Sequence, residues 1–178
     1  EGEIHQNEKH YKLRSETEYY DAITKKTADF IAASCEIGGI VAEMDITAVQ
    51  CLYKYGLYLG MAFQITDDIL DLTSNEKKIG KPAGNDILQG IITLPVIRAA
   101  STSPYKQELI ELITNKNLTA VMVKRAVEIT RDSDGIDYAH KKVYSYLNAA
   151  KQILPTGLPT NIAKSFIEIT DFVNKRDF

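Results

Sequence analysis

Residues 60–72, Gly-Met-Ala-Phe-Gln-Ile-Thr-Asp-Asp-Ile-Leu-Asp-Leu, place three carboxylates in an otherwise apolar stretch. At about 100° per residue, an α-helix gathers the polar side chains of this stretch into an arc of roughly 100° on one face. These side chains are Gln64, Asp67, Asp68 and Asp71. Carboxylates one turn apart repel each other by about 0.2–0.5 kcal/mol per pair, so this face needs a positive partner. A hard divalent cation is the simplest one, and Mg²⁺ prefers oxygen ligands and commonly bridges to substrate phosphates.

The composition fits an ordinary globular protein and excludes several function classes. The 178 residues are 44% hydrophobic and 25% charged, which is enough for one domain with a sizeable core. A net charge of −3 provides no basic field that would attract nucleic acid. No apolar run approaches the roughly 18 residues of a transmembrane segment. Cys35 and Cys51 lack the spacing of metal ligands, which favours reduced thiols in a cytoplasmic protein over a disulfide.

The chain opens with Glu1-Gly2-Glu3-Ile4, without an initiator Met. This opening resembles the interior of a structural element, and residues 1–8 are predicted to be the end of a helix. We therefore expect residues 1–178 to form a single all-helical domain that is a fragment of a longer protein. The missing part would be the N-terminal half of the fold.

Helical spacing of apolar residues runs along the whole chain. Ser15 and Glu18 match a capping box, and the helix that follows is predicted over about 16–37, until Gly38-Gly39 ends or breaks it. The side chains predicted to share its apolar stripe are Tyr20, Ile23, Thr27, Phe30, Ile31 and Ser34.

A second helix, apolar on all sides and therefore buried, is predicted over about 47–72. Its Gly56 and Gly60 lie four residues apart and would let a neighbouring helix approach closely. Asp86 with Gln89 indicates another helix start, and Thr93-Leu94-Pro95 begins the next helix, because Pro is tolerated in a first turn. Further helices are predicted at about 105–115, 118–131, 136–154 and 159–175. The fold class is an all-helical bundle.

A loop rich in Gly and Lys follows the acidic helix and contains Gly80-Lys81-Pro82-Ala83-Gly84. A lysine can contact a phosphate as a point charge, and backbone N–H groups at the next helix start can add donors. Alone, such a loop is usually just solvated. Beside a carboxylate helix, it suits a diphosphate.

Several segments together carry a family resemblance. They read Phe63-Gln64-Ile65-Thr66-Asp67-Asp68-Ile69-Leu70-Asp71, then Gly80-Lys81-Pro82-Ala83-Gly84-Asn85-Asp86, then Gly90 and Thr93-Leu94-Pro95. The sequence resembles the second aspartate-rich motif and the following loop of trans-isoprenyl diphosphate synthases. Lys26-Thr27-Ala28 is similar to a further family segment, in the same order. The likeness is nearest to long-chain synthases, including the catalytic subunit of bacterial hexaprenyl or heptaprenyl diphosphate synthases.

This resemblance implies an isoprenoid synthase helical bundle, represented by its C-terminal half only. It implies Mg²⁺-dependent condensation of isopentenyl diphosphate with an allylic diphosphate to give a polyprenyl diphosphate. Asp67 and Asp71 would ligate Mg²⁺, with Asp68 in support. Because relatives are dimers, it also implies a homodimer, or a heterodimer with a second synthase subunit.

The same resemblance implies roles for five further residues. The residues implied to form the diphosphate-binding site are Lys26, Lys81, Gln64 and Asp86, with the two lysines in contact with the diphosphate. Thr27 and Gln64 would line the place where the allylic cation forms, Gln64 also near the diphosphate. Asp86 would hold the loop or cap the next helix. The residues implied to act in catalysis are Lys26, Thr27 and Gln64.

Parts of the family pattern are missing. The first aspartate-rich motif and the arginines expected to bind isopentenyl diphosphate do not occur here, so we expect this fragment alone to be inactive. Many relatives also carry Lys after the glycine corresponding to Gly90, where this chain has Ile91. One cationic contact to the diphosphate would then be absent.

Other functions and plainer interpretations remain open. A class I terpene cyclase or head-to-head condensing enzyme would share this architecture, and a non-catalytic partner subunit is a third alternative. The Lys26-Thr27-Ala28 segment and the Gly-Lys-Pro loop favour chain elongation, and three retained carboxylates argue against a purely structural subunit. In the plainer interpretation, the acidic face is solvated, Lys26 lies at the surface and Thr27 in the core. Tyrosines such as Tyr19 and Tyr20 would serve packing or dimer contacts.

Overall fold

The computed structural model describes residues 10–73 and 83–176. Within these two ranges the backbone forms helices and no strand, which confirms the all-α prediction. The helices are α1 (Glu16–Ile23), α2 (Asp29–Val41), α3 (Ile46–Thr73), α4 (Asn85–Leu88), α5 (Leu94–Thr102), α6 (Lys106–Ile113), α7 (Ala120–Arg131), α8 (Gly135–Ile153) and α9 (Thr160–Asn174), with a π-helical turn (Thr24–Ala28) between α1 and α2. None of these described helices has the length and apolar character needed to cross a membrane. The helix end predicted within residues 1–8 lies outside the described residues.

Side-chain caps fix the starts of α1 and α3. The predicted capping box is confirmed: the Ser15 N–H donates to Glu18 Oε2 at 2.8 Å, and the Glu18 N–H donates to Ser15 Oγ at 3.2 Å. Asp45 caps α3, since its Oδ1 accepts from the N–H groups of Thr47 at 2.9 Å and Ala48 at 3.0 Å. These acceptors satisfy N–H groups that the first helical turn leaves without a partner.

The prediction that Gly38-Gly39 ends the first long helix was wrong, because α2 continues to Val41. Gly39 is buried, and a Cβ at this position would lie 2.9 Å from Leu52 Cδ1 and 3.3 Å from Val49 Cγ2. Glycine in a helix costs about 1 kcal/mol relative to alanine. Packing against α3 at this close contact outweighs that cost.

The buried side of this helical segment also differs from the predicted stripe. The buried residues are Tyr19, Ile23, Ala28 and Ala32, at intervals of four, five and four residues. The interval of five falls on the π-helical turn, where the Asp29 N–H donates to Thr24 O across five residues. Phe30 of the predicted stripe is consequently 77% exposed. A regular period of 3.6 residues does not include this extra residue.

The chain divides into two compact units. Of the described residues, the first unit comprises 10–22, 67–73 and 83–141, and the second comprises 23–66 and 142–176. In the first unit, α4, α5, α6 and α7 pack against one another. Apolar side chains of these helices form one core cluster with Leu72 of α3 and Ile92 of the segment before α5: Leu72, Ile87, Ile92, Val96, Ala99, Ala100, Leu109, Ile113, Val123, Ala126, Val127 and Ile129.

The second unit is built on close backbone contact along α3. A Cβ at Gly60 would lie 2.6 Å from Ala28 Cα, and one at Gly56 would lie 2.7 Å from Ala32 Cα. These contacts confirm that the two glycines let a helix approach α3 closely. Tyr55 is buried in the same unit, where its hydroxyl donates to Phe166 O at 2.7 Å.

Both cysteines belong to the second unit and are free, half-buried thiols. This confirms the prediction that they do not form a disulfide with each other. Burial raises the pKa of the Cys35 thiol, so this group stays protonated at neutral pH and is a poor nucleophile.

The glycine contacts along α3 generate a test of stability. Gly60→Ala should lower the free energy of unfolding by roughly 1–3 kcal/mol, because the new methyl group would overlap the backbone of Ala28. The control is Gly38→Ala, since a Cβ at this position meets nothing within 4 Å. Because alanine favours a helix more than glycine does, this variant should raise the free energy of unfolding by up to about 1 kcal/mol. Urea titrations followed by circular dichroism measure both. Equal stability of the two variants would contradict the packing analysis.

Candidate functional site

The three aspartates lie near the C-terminal end of α3, which ends at Thr73. Asp71 belongs to the last turn, and Asp67 and Asp68 lie about one turn earlier. The C-terminus of a helix is its negative end, where a nearby carboxylate is disfavoured by about 0.3–1 kcal/mol. The helix dipole therefore adds to the repulsion among the acids, and this end of α3 requires positive or hydrogen-bond-donating partners.

Asp68 is buried, with 4% of its surface exposed. Its Oδ2 accepts a hydrogen bond from the hydroxyl of Tyr19 at 2.6 Å, and Tyr19 is fully buried. Short hydrogen bonds to a carboxylate are roughly twice as strong as neutral ones. Both residues belong to the first unit, so this contact fixes the acidic end of α3 within that unit.

The Tyr19 hydroxyl remains a donor at physiological pH. Burial, and then the negative charge of Asp68, raise the pKa of Tyr19 well above its usual range. Each of these causes disfavours the phenolate. The proton of this hydrogen bond therefore stays on Tyr19.

Arg14 provides positive charge beside this pair. Its Cζ lies 5.3 Å from the centroid of the Tyr19 ring, and its Nε donates to Ile92 O at 2.7 Å. Burial lowers the pKa of Arg14, and the charges of Asp68 and Asp86 act in the opposite direction. An arginine remains charged in proteins, so Arg14 supplies the positive charge that a buried Asp68 carboxylate needs.

Asp71 is tied to the start of α4 by two backbone groups. Its carbonyl oxygen accepts from the Gly84 N–H at 2.9 Å, and its Oδ2 accepts from the Asp86 N–H at 3.2 Å. Gly84 has φ +84°, and a Cβ there would lie 2.6 Å from Val127 Cγ2. Both the conformation and the available space therefore require glycine.

The alternative that Asp86 caps α4 was wrong. The helix begins at Asn85, and its N-cap is Gly84, which offers no side chain for capping. Asp86 is thus the second helical residue, and its backbone N–H rather than its side chain contacts Asp71. The role of Asp86 in holding the preceding loop stays a prediction.

Arg131 stabilises the end of α3. Its Nε donates to Leu72 O at 2.7 Å, which satisfies one of the carbonyl groups that a helix C-terminus leaves without an internal partner. A cation at this end is also favoured by the helix dipole. No pattern in the sequence indicates this role of Arg131.

Thr27 and Gln64 contact each other, as their shared predicted role requires. The Thr27 hydroxyl donates to Gln64 Oε1 at 2.8 Å. Both side chains are half-buried and belong to the second unit. Thr27 lies on the π-helical turn, next to Lys26, which is exposed. Lys81 lies outside the described residues, so its contact with a diphosphate stays a prediction, as does that of Lys26.

Two residues that support Asp68 cannot be identified from the sequence pattern. Tyr19 was interpreted as one of many packing or dimer tyrosines, and Arg14 was given no role. The only indication of Arg14 in the sequence is its place directly before the capping box at Ser15. Neither residue has a motif that would connect it to Asp68.

The donor set fits a divalent cation held jointly with a substrate. The part of the chain that the structure describes has no group of three or more His, Cys, Asp or Glu side chains placed to hold a metal by themselves. Asp67 and Asp71 are half-buried carboxylates one turn apart at the negative end of a helix. Mg²⁺ is commonly held by one or two carboxylates and completes its octahedral shell with water and phosphate oxygens.

Curated proteins similar to this chain are prenyl synthases. The chain is 36% identical over 179 residues to "Heptaprenyl diphosphate synthase component 2" of Geobacillus stearothermophilus, an alignment that covers 99% of the chain and 55% of that protein. The chain thus spans about half the length of the curated relatives it matches.

Solved structures share the fold. Heptaprenyl diphosphate synthase from Staphylococcus aureus matches with a TM-score of 0.89 and 32% identity, over 99% of this chain and 56% of that one. Polyprenyl synthase from Caulobacter crescentus, solved in complex with calcium and isoprenyl diphosphate, matches with a TM-score of 0.88 and 32% identity, over 99% of this chain and 55% of that one. These matches confirm the predicted isoprenoid synthase fold.

The family model described as Polyprenyl synthetase matches residues 1–130. This match includes the acidic end of α3, the Thr27–Gln64 contact and the glycine turn before α4. Together with the relatives and the shared fold, it confirms the resemblance that the aspartate-rich segment indicated. The chain belongs to the polyprenyl synthetase family.

Proposed function

We propose that this protein elongates prenyl chains by Mg²⁺-dependent condensation of isopentenyl diphosphate with an allylic diphosphate. The observation that carries the proposal is the set of carboxylates at the negative end of α3, with Asp68 held by Tyr19 at 2.6 Å. Family membership supports it, as does the calcium and isoprenyl diphosphate complex of the Caulobacter crescentus protein. Because the chain spans about half the length of its relatives, the activity is proposed for the full-length protein.

Asp67 and Asp71 are the proposed ligands of Mg²⁺, with Asp68 in support. When bound, Mg²⁺ would neutralise negative charge on the diphosphate leaving group. The two half-buried carboxylates hold this cation on one side of α3, about 40° apart around the helix axis. Lys26 and Lys81 add positive charge to the diphosphate, and Asp86 holds the loop that carries Lys81.

The Thr27–Gln64 pair is proposed to face the allylic carbons. The allylic C–O bond breaks with its electron pair going to the diphosphate, and the double bond of isopentenyl diphosphate forms the new C–C bond. The departing diphosphate then takes up the proton that is lost as the new double bond forms. Thr27 fixes the orientation of the Gln64 amide by donating to Oε1. An oriented polar group next to developing charge stabilises a transition state without reorganising, and the apolar residues around it exclude water.

We also propose that the protein works as a dimer, either with a second copy or with a different synthase subunit. The name "component 2" of the Geobacillus stearothermophilus relative supports the second arrangement. Family membership favours elongation over a cyclase or head-to-head condensing enzyme of the same fold. The cytoplasmic location stays a prediction.

The proposed reaction is tested by incubating the full-length protein with labelled isopentenyl diphosphate and an allylic diphosphate primer. We expect longer prenyl diphosphates in the presence of Mg²⁺ and none when EDTA removes it, because the leaving group's charge is then not neutralised. Cyclic hydrocarbon or head-to-head products would replace the proposal with one of its alternatives. Activity that appears only after a second subunit is added would support the heterodimer.

The metal assignment is tested by Asp67→Ala in the full-length protein. Losing this ligand should lower kcat/KM by about a hundredfold or more, with little change in the melting temperature because Asp67 is only half-buried. Asp21→Ala is the control, since Asp21 is an exposed carboxylate on α1, and it should retain full activity. An unchanged elongation rate for Asp67→Ala would remove Asp67 from the site.

The role of the Thr27 hydroxyl is tested by comparing Thr27→Val with Thr27→Ser. Valine has the same shape but cannot donate to Gln64, so kcat should fall by roughly tenfold. Serine keeps the donor and should restore most of the rate. Steady-state kinetics at saturating Mg²⁺ separate kcat from KM. Equal rates for the two variants would assign Thr27 to packing.

A further inference from the structure

The hydrogen bond between Tyr19 and Asp68 has no direct part in the proposed reaction. Tyr19 is fully buried and Asp68 is 4% exposed, so neither side chain is accessible to a diphosphate arriving from solvent. Their contact nevertheless joins α1 to the same turn of α3 that carries the proposed metal ligands. A buried carboxylate is costly unless it is paired and hydrogen-bonded, and an apolar residue of similar size at position 68 would avoid that cost.

Helix geometry shows what this buried contact controls. At about 100° per residue, Asp67 and Asp71 lie roughly 40° apart around the axis of α3, and Asp68 lies about 100° from Asp67 and 60° from Asp71. Holding Asp68 against Tyr19 therefore sets the rotation of this turn. That rotation decides where the carboxylates of Asp67 and Asp71 point.

The anchor is itself rigidly supported. The Ser15–Glu18 capping box fixes the start of α1, which carries Tyr19. Arg14 packs on the Tyr19 ring and donates to the carbonyl of Ile92, which is 2% exposed in the core of the first unit. The Tyr19 ring is thus held in place by Arg14, which is itself hydrogen-bonded to the core of the first unit.

We propose that Tyr19 is a positioning residue that acts through Asp68 to orient Asp67 and Asp71 toward Mg²⁺ and the substrate diphosphate. Arg14 supplies positive charge beside the buried Asp68 carboxylate. Asp68 is in this account an anchor rather than a metal ligand. The inference rests on the proposed function, in which Asp67 and Asp71 are the ligands of Mg²⁺.

The test measures binding of inorganic diphosphate to the full-length protein at saturating Mg²⁺ by titration calorimetry. Tyr19→Phe removes one oxygen and should weaken this binding by about tenfold, because the hydrogen bond to a charged group is lost. Tyr20→Phe is the matched control on the adjacent residue, whose hydroxyl donates to Glu16 Oε1 at 2.9 Å. This control should bind within about twofold of the parent protein.

A second variant separates an anchor from a ligand. Asp68→Asn keeps an acceptor for the Tyr19 hydroxyl but removes the charge that a metal ligand needs. If Asp68 is an anchor, the affinity of Asp68→Asn for magnesium diphosphate should stay within about threefold of the parent's. The affinity of Asp67→Asn should fall by about a hundredfold. Thermal melting of each variant reports the folded fraction. If Tyr19→Phe fails to fold, the comparison of Asp68→Asn with Asp67→Asn still decides the question.

Two results would overturn the proposal. In the first, Tyr19→Phe binds diphosphate as tightly as the parent protein does. In the second, Asp68→Asn loses as much diphosphate affinity as Asp67→Asn does. In either case the parent and Asp67→Asn would still differ, and the proposed function would stand. A parent protein that does not bind magnesium diphosphate would instead refute the proposed function, together with the inference that rests on it.

Discussion

Neutralising negative charge at the C-terminal end of α3 is the constraint on which the rest of the site depends. This end combines carboxylates with the negative pole of the helix dipole. Tyr19 and the N–H of Asp86 donate to the carboxylates of Asp68 and Asp71, and Arg131 donates to a terminal carbonyl. These contacts stabilise the folded helix end. The half-buried Asp67 and Asp71 remain in position to attract a cation, which links the stability of the helix end to the proposed chemistry.

Much of the fold follows from local sequence patterns. The predicted helix over about 47–72 agrees with α3 at Ile46–Thr73, because a long apolar segment with an aspartate before it strongly favours a buried, capped helix. Local patterns failed at Gly39 and at the π-helical turn. There, packing against Val49, Leu52 and Gly60 of a distant segment decides the conformation, and no local preference describes that packing.

In the candidate site, too, some features follow from the sequence pattern and others depend on tertiary contacts. The acidic face was predictable from residue type and spacing, and the family resemblance implied that Thr27 and Gln64 line the same place. Tyr19 and Arg14 were not predictable, because Tyr19 meets Asp68 across 49 positions of sequence and Arg14 meets Ile92 across 78. A tyrosine at helical spacing has the same pattern whether its hydroxyl faces solvent or a buried carboxylate. Only the tertiary structure distinguishes these two cases.

The π-helical turn at Thr24–Ala28 makes chain length a constraint on this part of the protein. Ala28, the last residue of the turn, and Ala32 of the following helix lie against Gly60 and Gly56 with no space for an additional atom. Deleting one residue from the turn would rotate the following helix by about 100°, so that Asp29 would take the place of Ala28 against Gly60. Because the rotation moves the whole following helix, an insertion or deletion in this turn disturbs more contacts with α3 than the exchange of one side chain.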